Sequence, residues 1–336
     1  MQRDQTSNFL KLLLIAICFT YPLTSQQTFA QQTLVPTLTD IKIKSSVDGS
    51  MQPARWFSAA PLAQNETLPR PLLVMLHTWS GNYKQGGLST EAFNQCKKRN
   101  WAYIHPDFRG PNRTPKACGS KFAIADVIDA VEYAKKHAHI DPKRIYLLGT
   151  SGGGHMALLM ACKASKVWAG VSAWVPVTDI TAWHAQCKKA NRKYWKDIEG
   201  AVGGAPGSSP EIDAACKARS PLFHLQKAKG VRIDLNVGIH DGHTGSIPIT
   251  HSLFAFNRLA DANNVSTAKL TDAQIQSMRT SRKLPADLAN AKVVTSSKRL
   301  KKILFQRSAG SARLTIFDGG HEGDTNAAID WLSRLK

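Results

Sequence analysis

Apolar residues recur along the chain in two kinds of block. Short, mostly apolar runs alternate with longer segments in which apolar residues return every third or fourth position. The runs are PLLVMLH (71–77), WAYIHPDF (101–108), RIYLLG (144–149), WAGVSAWVP (168–176), VRIDLNVGIH (231–240) and ARLTIFDGG (312–320). Each predicts a strand, and the continuous run 71–77 predicts one covered on both faces. Between them, 89–100, 124–139, 153–165, 251–262 and 325–336 carry helical spacing. The first of these opens on Ser89 and Thr90, residues that start helices; the second closes on lysines, which suit a helix's negative end. Residues 31–70 alternate more loosely and predict two edge strands.

Strand following helix throughout predicts an α/β fold: a mostly parallel central sheet with helices on both faces, in a single domain. Two stretches break the rhythm. Residues 178–225, rich in Trp, Lys, Gly and Pro, read as an irregular, lid-like segment. Residues 263–311 read as a basic, polar insertion before the last strand. There is no internal repeat.

Sites in such sheets form beyond the carboxyl ends of the strands. After RIYLLG comes Gly149-Thr150-Ser151-Gly152-Gly153, a G-x-S-x-G sequence between a predicted strand and a predicted helix. A serine on so tight a turn needs neighbours without bulky side chains. The Gly152 amide and the positive end of the following helix would face a developing oxyanion. The lysine of a phosphate-binding loop is missing, and no GxGxxG is present. A nucleophilic Ser151 requires a base and an orienting acid. His321 follows two glycines after the last strand, in FDGGHEGD. Asp241 follows the preceding strand, in NVGIHDGHTG, with Asp179 in reserve. The second oxyanion donor is expected in LHTWSGNY (76–83), from the amide of Trp79, with that of Thr78 as the alternative. His240 and His243 flank Asp241, but no third ligand at metal-site spacing accompanies them. No metal or cofactor is expected.

From Pro71 to the C-terminus the chain resembles the catalytic domain of the prolyl oligopeptidase family, and related secreted esterases, of the α/β-hydrolase fold. HIDPKRIYLLGTSGGGHMAL is similar to the family's D-P-x-R-I…G-x-S-x-G-G stretch. ARSPLFHLQKAKGVRIDLNVGIHD resembles the segment leading to the acid, and GGHEG resembles the site of the histidine. The resemblance implies Ser151 as nucleophile, Asp241 as acid and His321 as base. The acid loop departs from the family's G-x-x-D-x-x-V-P, because extra residues precede Ile247-Pro248; a shifted alignment would put Thr244 at the acid position. Residues 31–70 leave no room for the family's peptide-gating propeller.

Composition adds compartment and partners. The chain has 336 residues, 43% of them hydrophobic and 20% charged, as in globular proteins. Its N-terminus has a polar stretch with Arg3 and Lys11, an apolar run over 12–23, and small residues Thr28 and Ala30 before Gln31. This is the pattern of a secretory signal peptide over 1–30, cleaved near Ala30 to leave 31–336 as the catalytic domain. The apolar run is shorter than a bilayer span, so no stable membrane insertion is expected. Secretion or a periplasmic location follows. A formal net charge of +20 then suits acidic polysaccharide surfaces rather than nucleic acid. An oxidising compartment permits disulfides, with Cys96–Cys118 and Cys187–Cys216 as pairings suggested by proximity alone and Cys162 as a buried thiol. The reading is a secreted serine hydrolase of carboxylic esters, including acylated saccharides, with Trp174 as a substrate-stacking residue. A serine peptidase acting on peptides is the alternative.

Overall fold

The apolar runs form the middle of a nine-stranded sheet in the computed structural model, which describes residues 37–58, 68–289 and 299–335. The expected signal segment lies outside the described residues. The strands are β1 (Thr39–Lys44), β2 (Met51–Phe57), β3 (Arg70–Leu76), β4 (Ala102–Pro106), β5 (Ile140–Thr150), β6 (Gly170–Trp174), β7 (Ile233–Gly238), β8 (Ile303–Ala309) and β9 (Ala312–Phe317). Their order across the sheet is β1-β2-β4-β3-β5-β6-β7-β9-β8. Pairings from β4 through β3, β5, β6 and β7 to β9 are parallel. The edges, β1–β2–β4 and β8–β9, are antiparallel.

Every residue of β3, β4, β6 and β7 is buried, which requires cover on both faces. The cover comes from α1 (Leu88–Lys98), α2 (Lys121–His137), α3 (Gly152–Lys163), α7 (Thr250–Ala262) and α10 (Thr325–Ser333), which pack on the strands. α3 is the most deeply placed: Gly152 through Cys162 are all buried, and it packs on β3, β5 and β6. The helix starting at the serine turn is therefore anchored along its length by the core.

Residues 178–225 are not irregular. They fold as α4 (Ile180–Lys189), α5 (Tyr194–Val202) and α6 (Pro210–Arg219). Ordinary end signals set them. Asp179 caps α4 by accepting from the Ala182 amide, and Ser209 caps α6 ahead of Pro210. Gly203 ends α5 at φ 96°. These helices enclose a second apolar cluster that includes Trp79, Val177, Ile180, Trp183, Ile198 and Ile247. Within 263–311, Thr271 and Gln274 form a capping box at the start of α8 (Asp272–Ser281); the short α9 (Ala286–Ala289) follows, and β8 pairs with β9 as an edge strand. Part of that segment, 290–298, lies outside the described residues.

The two disulfides do not form. Cys96, Cys118, Cys162, Cys187 and Cys216 are all buried free thiols. Cys96 belongs to the sheet's core, while Cys118 sits in the second cluster with Cys187 and Cys216. Burial pushes the Cys118 and Cys187 thiols up to about 12, which suppresses the reactive thiolate. We expect Ellman's reagent to react with these thiols only after denaturation, and gel mobility to be the same with and without reductant. A mobility shift on reduction would contradict the assignment.

Candidate active site

The turn after β5 holds Ser151 at φ 60°, ψ −118°, a conformation that costs a non-glycine residue about 1–3 kcal/mol. Two backbone hydrogen bonds hold it there. The Ser151 amide donates to the Trp174 carbonyl at 2.8 Å, and the His155 amide donates to the Ser151 carbonyl at 2.9 Å. The flanking glycines are steric requirements. A methyl group on Gly149 would stand 2.1 Å from the Gly153 carbonyl oxygen; one on Gly152 would stand 2.4 Å from the Trp79 amide nitrogen.

Three loops bring the other chemistry to Ser151. His321, beyond β9, places Nε2 2.9 Å from the Ser151 hydroxyl oxygen. Its Nδ1 lies 2.9 and 3.1 Å from the two carboxylate oxygens of Asp241, beyond β7. An Nδ1–H donating to Asp241 leaves Nε2 to accept the serine proton. Thr244, in the same loop, turns its hydroxyl to the His240 carbonyl. Asp179, the reserve acid, is occupied in capping α4. Asp318 pairs with His240, and Glu322 with Lys301. His243 lies 2.8 Å from the Arg279 carbonyl. Among the described residues no three His, Cys, Asp or Glu side chains converge as a metal-ligand set.

The loop after β3 supplies the facing amide. The Thr78 N–H and hydroxyl both donate to Gln85 Oε1, at 2.9 Å each, so Thr78 is committed. Trp79 is only 3% exposed, and its N–H has no acceptor among the described residues. A buried amide left open beside the first N–H of α3 is a donor pair awaiting an oxygen. His77 braces the loop from beneath. Its ring nitrogens lie 2.9 and 2.7 Å from the Thr78 and Asp107 carbonyls, and its ring stacks on Phe108 at 3.8 Å. The sequence reading passed over His77 and Gln85, because residues that support a loop carry no motif of their own.

Trp174 does not stack on substrate. At 2% exposure its indole is buried, its Nε1–H donates to the Ser172 hydroxyl, and the Arg299 guanidinium covers its ring. It acts through its carbonyl, which holds the Ser151 turn.

The residues 119–274 match the family model of the prolyl oligopeptidase family. This stretch, a little under half of the chain, is similar to that family. The match takes in Ser151, Gly152 and Asp241; Trp79 and His321 lie on either side of it and join the site through the fold. Solved structures of the same α/β-hydrolase architecture include the acylaminoacyl peptidase of Pyrococcus horikoshii, at 16% identity and a TM-score of 0.53, covering 68% of this chain and 36% of that one. Oligopeptidase B from Leishmania major is similar over 89% of this chain and 35% of its own, at 12% identity and a TM-score of 0.54. A puromycin-hydrolyzing peptidase of Mycobacterium tuberculosis covers 68% and 35%, at 18% identity and a TM-score of 0.54. The chain thus spans about a third of the length of these solved relatives, and the likeness to them is one of fold. Among the described residues no helix is long and apolar enough to cross a membrane.

The Ser151–His321–Asp241 arrangement has the geometry of a serine hydrolase triad. Its acid is electrostatically costly. Burial pushes the Asp241 carboxyl above its ordinary range, and the hydrogen bond and charge of His321 pull it partly back. With the folded-state pKa raised, the folded protein holds this proton more tightly than the unfolded chain. Stability is therefore lost as pH rises from the ordinary carboxyl range through the raised value. Asp241→Asn should cut kcat by about 10⁴-fold. It should also raise the melting temperature at neutral pH, with the gain vanishing below about pH 3.9. Melting scans across pH check this; a lower melting temperature at neutral pH would show that the His321 bond outweighs desolvation.

Proposed function

We propose that the protein is a serine hydrolase that acts through an acyl-enzyme at Ser151, with aminoacyl or peptidyl bonds as its first substrate class and carboxylic esters, acylated saccharides among them, as its second. The observation that carries this reading is the unbroken relay from Ser151 through His321 to the buried Asp241. The family match supports the order of the substrate classes. Esters share the acyl chemistry and have the better leaving group.

His321 Nε2 accepts the hydroxyl proton as Ser151 attacks the carbonyl carbon. The oxygen, now carrying charge, moves toward the N–H groups of Gly152 and Trp79; each such donor is worth about 10²–10³ in rate. Asp241 stabilises the imidazolium and keeps its orientation. His321 then protonates the departing amine or alkoxide, and water, activated by the same imidazole, releases the acid.

Export belongs to this reading as well. The charge and apolar pattern of residues 1–30 supports it, and N-terminal sequencing of the purified protein should start near Gln31.

A fluorophosphonate probe should label the peptide that holds Ser151. Ser151→Ala should abolish the label and lower turnover by about 10⁶-fold. The wild type should hydrolyse aminoacyl p-nitroanilides as well as p-nitrophenyl acetate. Labelling that persists in Ser151→Ala would remove the nucleophile assignment. Ester turnover without any anilide turnover would reverse the order of substrate classes.

A further inference from the structure

The cap of α4, α5 and α6 is tied to both catalytic loops through two indoles. Trp79 offers its open backbone amide at the site, while its side chain reaches under the cap. There Nε1–H donates to Asp197 Oδ2 of α5 at 3.2 Å. The Trp79 ring meets Trp183 of α4 edge-on, with centroids 4.6 Å apart, and meets His155 of α3 at 6.1 Å. Trp183 is 1% exposed and donates its own Nε1–H to the Ser246 carbonyl at 2.9 Å, in the loop that follows Asp241. Tyr194 of α5 stacks on Trp183 with ring centroids 5.2 Å apart.

We infer that Asp197 is a positioning residue for the oxyanion hole, acting through the Trp79 indole to fix the direction of the Trp79 N–H. The inference rests on the serine hydrolase reading above. The orientation of a peptide N–H is set by what holds the residues around it. On one side Thr78 is fixed by its two bonds to Gln85; on the other, the Asn112 amide donates to the Trp79 carbonyl at 2.9 Å. The third tether is the side chain, and the Asp197 bond fixes its far end. A donor aimed at a developing oxyanion has to be held within a fraction of an ångström, and a shift of about 1 Å can cost about 10²-fold. Because the charge on the oxygen develops in the transition state, loosening this tether lowers kcat and leaves ground-state binding nearly untouched. The cap thereby bears on the chemical step, not only on access to the site.

The test compares Asp197→Ala, Asp197→Asn and Trp79→Phe on p-nitrophenyl acetate, with fluorophosphonate labelling rates and melting temperatures measured alongside. Asparagine keeps an oxygen acceptor for the indole; phenylalanine removes the donor and keeps an apolar ring. We expect Asp197→Ala and Trp79→Phe each to lower kcat about 10- to 100-fold with KM within about twofold. Asp197→Asn should stay within about threefold of wild type. Adding Asp197→Ala to Trp79→Phe should cost nothing further, since the bond is already gone. Wild-type kcat in Asp197→Ala, equal losses in the alanine and asparagine variants, or additive losses in the double variant would each overturn the inference. If Asp197→Ala does not fold, Trp79→Phe and Asp197→Asn decide it. Failure of the underlying reading looks different: the wild type would not be labelled, or Ser151→Ala would be.

Discussion

The site depends on one steric constraint: the backbone of Gly152 lies against the backbone of Trp79. With a methyl position only 2.4 Å from the Trp79 nitrogen, no other residue fits there without moving a loop. This contact sets two amides from distant parts of the chain side by side. One begins α3, where the helix leaves unpaired N–H groups; the other follows β3. The strained Ser151 backbone stands between the strand that delivers it and the helix that carries it away, and the buried length of α3 opposes relaxation of the strain. The parallel order β4-β3-β5-β6-β7-β9 then brings the loops after β3, β7 and β9 to the same edge as the serine turn.

Polar groups at the site are held at an energetic cost. Asp241 is 1% exposed, and its carboxylate sits there because His321 and the Gly242 amide hydrogen-bond to it. The raised pKa of this group is the electrostatic counterpart of the strain at Ser151. Both features oppose stability locally and both prepare the nucleophile, as expected where function competes with packing.

Much of this was legible in the sequence because it is local. The apolar IYLL of 145–148 running into G-x-S-x-G specifies a strand, a strained turn and a helix within a few residues. His321 and Asp241 could be named because each follows its own strand. Features that depend on contacts between distant residues were not legible. Strand β8 has an irregular burial pattern, since an edge strand packs on only part of its surface, and it merged with the basic stretch before it. The cap helices α4, α5 and α6 are short, and their stretch read as irregular because the core they form depends on contacts between separate helices. Trp174 was misread for the same reason: an aromatic at the end of a strand is as readily a buried brace as a platform for substrate. Cysteine spacing misled: Cys96 and Cys118 join different apolar clusters, and Cys187 and Cys216 share one yet stay free thiols.

The most direct test of the account is the acylation rate of Gly152→Ala, measured by fluorophosphonate labelling alongside far-ultraviolet circular dichroism. The account predicts a folded protein whose Ser151 reacts about 10²–10³-fold more slowly, because the added methyl separates the two amides. A folded Gly152→Ala that is labelled at the wild-type rate would contradict it.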